Sequence, residues 1–271
     1  FQFDSFDSDG FTTDSGNVTG INASGDLQVA WNWKAGGAAV SNTDGSITST
    51  VSANVNAGFS IVSYTGTGSA STIGHGLSQE LDMVIVKNRD DGTKGWPIIT
   101  HATTFGNDYL EINSFNTPFG GSIYFNNTAP TSSVFSVGTV GSTNASGDDL
   151  IAYCFHNVDG YSKIGKYIGN GSSNGSFINT GFRPAYVLIK STTNGSGNWI
   201  ILDDAVNPYN DGAASTLYPN LDAVEAVNDI NLPFFSNGFK VNESSPSLNG
   251  SGHEMIYIAF AETPFKNTTA R

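Results

Sequence analysis

Apolar residues in this chain come in short runs separated by polar, glycine-rich stretches. Phe59 to Tyr64 (FSIVSY) alternates as a strand with one buried face does, and Asp82 to Lys87 (DMVIVK) is a short apolar run flanked by turn residues. Trp96 to Thr100, Tyr109 to Ile112, Ser122 to Phe125, Val134 to Val137 and Leu150 to Phe155 continue the series, one strand after another in about 100 residues. Before them, residues 26–33 (DLQVAWNW) read as a strand. Residues 34–57 read as an extended linker with a hairpin centred on Asp44-Gly45. Asp9-Gly10 and Asn237-Gly238 mark tight turns, because both residue types of such a pair tolerate positive φ. Only Leu221 to Val227 (LDAVEAV) has a helical flavour, enough for a turn or two. The pattern predicts an all-β protein of antiparallel β-sandwich or jelly-roll type.

The pattern also repeats. Tyr64, Gly66 and Gly68 match Tyr167, Gly169 and Gly171; Met83–Lys87 matches Tyr186–Lys190; Trp96 matches Trp199. Every pair is 103 positions apart (167 − 64, 190 − 87, 199 − 96). A constant offset over widely spaced residues indicates tandem duplication of a unit of about 100 residues. Each unit closes on an apolar strand whose last aromatic follows a Ser-Gly pair: Phe155 after Gly147 and Phe260 after Gly252. Trp33 stands in the same relation to Gly25. The expected organisation is therefore 1–57, the closing strands of a preceding unit plus a linker; 58–160, the first repeat; and 161–271, the second repeat with a tail. On this reading Phe1 is expected to lie inside a longer polypeptide. Trp33, Phe155 and Phe260 are expected to share one buried core position.

Composition narrows the classes. Charged residues make up 13% of the chain, against about 25% in an ordinary soluble domain, and glycine reaches 32 residues. A net charge of −13 without a basic run disfavours nucleic acid and anionic membrane as partners, both of which call for clustered Lys and Arg. No apolar stretch approaches the length that inserts into a membrane. The single cysteine, Cys154, sits in an apolar strand and reads as a small core residue. The four histidines, His75, His101, His156 and His253, lack metal-ligand spacing, and the glycine-rich loops lack the Gly-Lys-Ser of a phosphate cradle. No catalytic residue stands out.

Two features remain for binding. The loop acids Asp7, Asp9 and Asp14 are the best calcium candidates, since hard cations gather carboxylate and carbonyl oxygens. Aromatic residues are abundant, and ring faces beside Asn and Asp suit sugar recognition. Trp96 and Trp199 recur in both units and so serve the scaffold. Phe119, Tyr209 and Tyr218 lie in loops that differ between units, where recognition usually resides.

The phrases WNWKAGG, SNTDGSITS, GFSIVSYTGTGS, TIGHGL, NNTAPTSSVF, TGFRPAYVLIK and YIAFAETPFKN resemble a repeat-domain family in structural, tail-fibre-like proteins of marine bacteriophages. The resemblance spans about Leu27 to Arg271 and leaves out residues 1–10. It implies a lectin-like β-sandwich array on a virion surface, as a tail fibre or a capsid-surface decoration, outside the cell and among other virion proteins, with no catalytic residue to carry over. Low charge and many β-branched polar residues fit a chain whose sides meet identical subunits, expected as a homotrimer that binds a host-surface glycan. The competing expectations are a polysaccharide depolymerase, which requires two carboxylates about 5–10 Å apart in a cleft, and a secreted cellular adhesin.

Overall fold

The structure, a computed structural model, describes residues 3–7, 10–13, 24–25, 28–105, 107–195, 197–207, 210 and 212–262. They fall into two compact units, Phe1–Lys34 and Ala35–Arg271. In the first, β1 (Phe3–Phe6) pairs antiparallel with β2 (Phe11–Thr13), and Asp7 N–H donates to the Gly10 carbonyl. The strand expected at 26–33 is not formed: residues 28–33 have no ladder, and Trp33 is half-buried. A strand must satisfy its backbone donors and acceptors in a ladder on a neighbouring strand, and none of the described strands forms such a ladder with residues 28–33.

The second unit begins with β3 (Val40–Asn42) and β4 (Ser49–Asn54), a hairpin around Asp44-Gly45. It is no linker, because β4 pairs with β5 (Phe59–Thr65) and so extends the sheet. There follow β6 (Ser71–Gly74), β7 (Met83–Asn88), β8 (Pro97–Thr100), β9 (Asp108–Glu111), β10 (Phe119–Gly120), β11 (Val134–Val137) and β12 (Asp149–Phe155). One sheet runs β10-β9-β8-β7-β12-β5-β4-β3, and β11-β6 forms the opposing layer. The second repeat contains β13 (Ser162–Ile168), β14 (Phe177–Asn179), β15 (Pro184–Ser191), β16 (Trp199–Asp203), β17 (Ala214–Thr216), β18 (Ala226–Ile230), β19 (Phe234–Phe235), β20 (Gly238–Lys240) and β21 (Glu254–Ala261). Its sheets are β13-β21-β15-β16, β14-β20-β19 and β17-β18, and every ladder between these strands is antiparallel.

The duplication holds at the level of register. Phe155 on β12 lies opposite Phe59 and Met83; Phe260 on β21 lies opposite Ser162 and Tyr186. These partners are again 103 apart (162 − 59, 186 − 83). In each repeat the inward face of this sheet packs on a smaller layer. Val62, Val84, Val86 and Ala152 meet Ile73, Phe135 and Val137; Val187, Ile189 and Ala259 meet Ile178, Phe239 and Val241. Tyr64 stands edge-on to Phe135, and Tyr167 to Phe239, with ring centroids 6.3 and 6.4 Å apart. Cys154 belongs to the first core, and burial pushes its thiol pKa up. It is an inert packing residue.

The paired glycines follow from a buried asparagine. The short helices are Ser122–Phe125 (α1), Gly141–Asn144 (α2) and Pro246–Asn249 (α3). Asn144 and Asn249 end α2 and α3, and both are fully buried. Asn144 Oδ1 accepts from Thr67 N–H, and Asn249 Oδ1 from Asn170 N–H. Their amide groups donate to the carbonyls of Ser69 and Gly138, and of Ser172 and Glu243. The turn therefore comes so close that a Cβ on Gly66 would lie 2.1 Å from Ala145 O, and one on Gly169 2.3 Å from Gly250 O. Gly68 and Gly171 both adopt φ +70°, where a side chain is strained.

Two local expectations are overturned. Ser122–Phe125 is a helical turn rather than a strand, closed by Asn126 and Asn127 at φ 54° and 48°, a conformation asparagine tolerates. Leu221–Val227 forms no helix. Its end enters β18, whose Asp229 accepts from the Thr216 hydroxyl across the hairpin, and this pairing wins over a weak helical preference.

Candidate functional site

Six outward-facing positions of the main sheet distinguish the repeats. Ile61, Ile85, Lys87, Trp96, Ile151 and Tyr153 are half-buried in repeat 1. Their register partners in repeat 2, Ile164, Leu188, Lys190, Trp199, Ile256 and Ile258, are all buried, Lys190 and Trp199 completely. Repeat 1 supplies the cover. Trp199 Nε1–H donates to Glu111 O at 2.9 Å, and Lys190 Nζ donates to Phe115 O at 2.8 Å as well as to Gly197 O. In repeat 1 the equivalent Lys87 keeps only the turn carbonyl, of Lys94, and lies over the Trp96 ring, which stacks on Tyr153. The closing aromatics meet at the same junction, with Phe155 and Phe260 ring centroids 6.1 Å apart. They are equivalent in register, but Phe155 is buried and Phe260 half-buried, and Trp33 is in no strand; the three do not share one core position.

Between the repeats opens a cleft of about 580 Å³. Thr103, Thr104, Asp108, Thr117 and Pro118 line it from repeat 1, and Lys166, Thr192, Thr193 and Glu254 from repeat 2. Lys166 Nζ and Glu254 Oε2 pair at 2.9 Å across adjacent strands. Threonine hydroxyls, two carboxylates and an ammonium make a lining suited to a polyhydroxylated ligand and poorly suited to an apolar one. This cleft was missed by sequence reasoning. Its residues come from loops of two repeats and are common turn-formers, so no local signal marks them.

Of the residues singled out from sequence, Phe119 and Tyr218 belong to different repeats. Phe119 on β10 follows Pro118 of the cleft, is 39% exposed, and packs on Tyr109, which stacks with Tyr124. Tyr218 lies half-buried against the core of repeat 2, and its hydroxyl is held by the Asp229 carboxylate. It is a structural residue by these contacts, whereas Phe119 is exposed and adjoins the cleft wall in sequence. Tyr209, Asp9 and Asp14 lie outside the described residues. Asp7 accepts from the Thr12 and Ser5 hydroxyls, which hold its carboxyl below the usual range. Among the described residues no three His, Cys, Asp or Glu side chains converge as a metal site would require.

His75 serves packing, whereas His101 pairs with Asp82 at 3.0 Å near the surface. Leu77 N–H donates to His75 Nδ1, so the ring proton is on Nε2, which faces Thr131 O at 3.2 Å. His75 is fully buried, and desolvation lowers its pKa to about 4. Its unfolded value is near 6.5, so the unfolded chain binds the extra proton first as pH falls. The stability held above pH 6.5 is therefore lost between about 6.5 and 4, by on the order of 3 kcal/mol. Urea titrations across that range should show the loss, and His75→Gln should flatten it. An equal slope in the variant would show that other groups carry the dependence.

Together these features define an all-β protein of two fused sandwich repeats with a polar cleft between them. The chain belongs to the family described as a domain of unknown function, DUF7483, which matches residues 2–264. That match takes in residues 3–10, ahead of the phrases that carry the phage resemblance. Among solved structures the chain is similar to the major capsid protein P2 from bacteriophage PM2. The identity is 12%, over 74% of this chain and 96% of that one, with a TM-score of 0.19. No curated protein matches.

Proposed function

We propose that this chain is a non-enzymatic structural module of a bacteriophage virion surface that holds a host-surface glycan in its inter-repeat cleft. The cleft carries the binding reading: five threonines, Asp108, Glu254 and Lys166 line one space, and the exposed Phe119 follows Pro118 of its wall in sequence. Sugar hydroxyls pair with such carboxylates and hydroxyls, and an exposed ring beside them stacks on C–H faces. The phage-like phrases support the virion setting. Single glycan contacts are weak, and repetition through a homotrimer raises avidity without new contacts.

A glycan array, followed by calorimetry on the best ligand, tests the proposal. Glu254→Gln and Phe119→Ala should each weaken binding about tenfold, the loss of roughly one polar or stacking contact. Binding unchanged by both variants would move the site away from the cleft. The presence of Asp108 and Glu254 in one cleft favours depolymerase as the second reading. Release of reducing ends from a polysaccharide, abolished by Asp108→Asn, would establish it in place of the first.

A further inference from the structure

We propose that copies of this chain associate head to tail, with segment 217–227 of one copy seated on the half-buried outer face of repeat 1 of the next. The molecule contains the template for this contact. Within the chain, the end of β9 and the segment that follows it cover the outer face of repeat 2, placing Glu111 O on Trp199 and Phe115 O on Lys190. The same segment recurs in repeat 2. Asn113 Oδ1 accepts from Trp96 N–H, and Asn220 Oδ1 accepts from Trp199 N–H, so Glu111–Phe115 corresponds to residues 218–222. Ile98 pairs with Leu110 as Ile201 bridges to Leu217. Leu110 is buried; its counterpart Leu217 is only half-buried. Among the described residues, the covering element of repeat 2 lies on no equivalent outer face, and the outer face of repeat 1 is only partly covered.

Surface chemistry agrees with that polarity. The covering end of repeat 2 exposes Leu221, Val224 and Val227 at 44, 89 and 70%. Such a run of exposed apolar side chains is characteristic of a contact surface. Asp222 and Glu225 are interspersed among them, whereas the face of repeat 1 is edged by Lys87, Arg89 and Lys94, of which Lys94 already pairs with Asp91 at 3.3 Å. Opposite charges at the two ends favour a heterologous contact over pairing of either end with itself. A contact of this kind closes into a ring or grows as an open chain. The inference does not rest on glycan binding.

Light scattering of the full chain at rising concentration should show oligomers. Val224→Asp/Val227→Asp removes the covering end, and Arg89→Glu/Lys94→Glu alters the face; each variant alone should be monomeric. Mixed, they should form a 1:1 dimer, because one retains the face and the other the covering end. Circular dichroism melting of each variant checks that the fold is kept. A wild-type monomer at every concentration would overturn the proposal. So would oligomers that survive both variants, or variants that stay monomeric when mixed.

Discussion

Replacing Trp199 with alanine is expected to lower the stability of the 35–271 unit by about 3–5 kcal/mol, while Trp96→Ala should cost about 1 kcal/mol. Both residues occupy the same repeat position and donate their backbone N–H to an asparagine Oδ1, of Asn113 or Asn220. The difference lies in their surroundings. Trp199 is completely buried and its indole N–H donates to Glu111 O of the other repeat, so truncation opens a cavity and orphans a carbonyl. Trp96 is half-buried on Tyr153, and water can replace much of what it touches. Urea unfolding should therefore show a single transition for wild type and for Trp96→Ala. For Trp199→Ala it should split, because the junction coupling the two cores is weakened. Equal costs for the two variants would mean that the junction contributes no stability.

This contrast marks how far the sequence could be read. Constant spacing of Tyr64, Gly66, Gly68, Lys87 and Trp96 with their counterparts carried the duplication and the main strands, since apolar alternation and close-packed glycines are local demands of a sheet. The spacing said nothing about which copy would be covered. Lys87 and Lys190 sit in nearly the same words, yet one is half-buried and the other fully buried. Burial of an outer face depends on the neighbouring repeat, which no local pattern encodes. The cleft is illegible for the same reason: Thr103, Asp108, Lys166 and Glu254 meet only when two repeats are docked. Phe119 is singled out in the sequence by its place in a polar loop that differs between units, which is a local signal. Tyr218 satisfied that criterion too, but its hydroxyl is committed to Asp229.

The short helical turns were missed for a related reason. α1, α2 and α3 are single turns of four residues, too short for periodicity to show. What specifies them is packing: α2 and α3 each end on an asparagine fully buried under a glycine turn. The repeated Tyr64 and Tyr167 belong to the same arrangement, donating their hydroxyls to Thr143 O and Leu248 O. One tyrosine, two glycines and one asparagine thus form a unit that fixes the end of the equivalent strand in each repeat, β5 or β13.

Lys190 gives the second large effect. Its ammonium is fully buried without a carboxylate, donating to Phe115 O at 2.8 Å and Gly197 O at 2.6 Å. Lys190→Met is expected to cost about 3–5 kcal/mol at pH 7, since each orphaned carbonyl costs about 1–3 kcal/mol. Lys87→Met, at the half-buried equivalent with one carbonyl, should cost about 1 kcal/mol. Lys190 also carries a pH signature. Burial lowers its pKa from 10.5 to about 8, so above pH 8 the folded protein releases a proton that the unfolded chain retains until 10.5. Stability should rise across that window by on the order of 3 kcal/mol, and the gain should be absent on the acid side of pH 8. The neutral amine still has two N–H donors for its two carbonyls, so deprotonation sheds the buried charge without breaking the junction. Urea midpoints between pH 7 and 10 should climb for wild type and for Lys87→Met, and stay flatter for Lys190→Met. Parallel curves for all three would show that the Lys190 amine keeps its proton throughout, and that its two carbonyl bonds hold a charge in the interior.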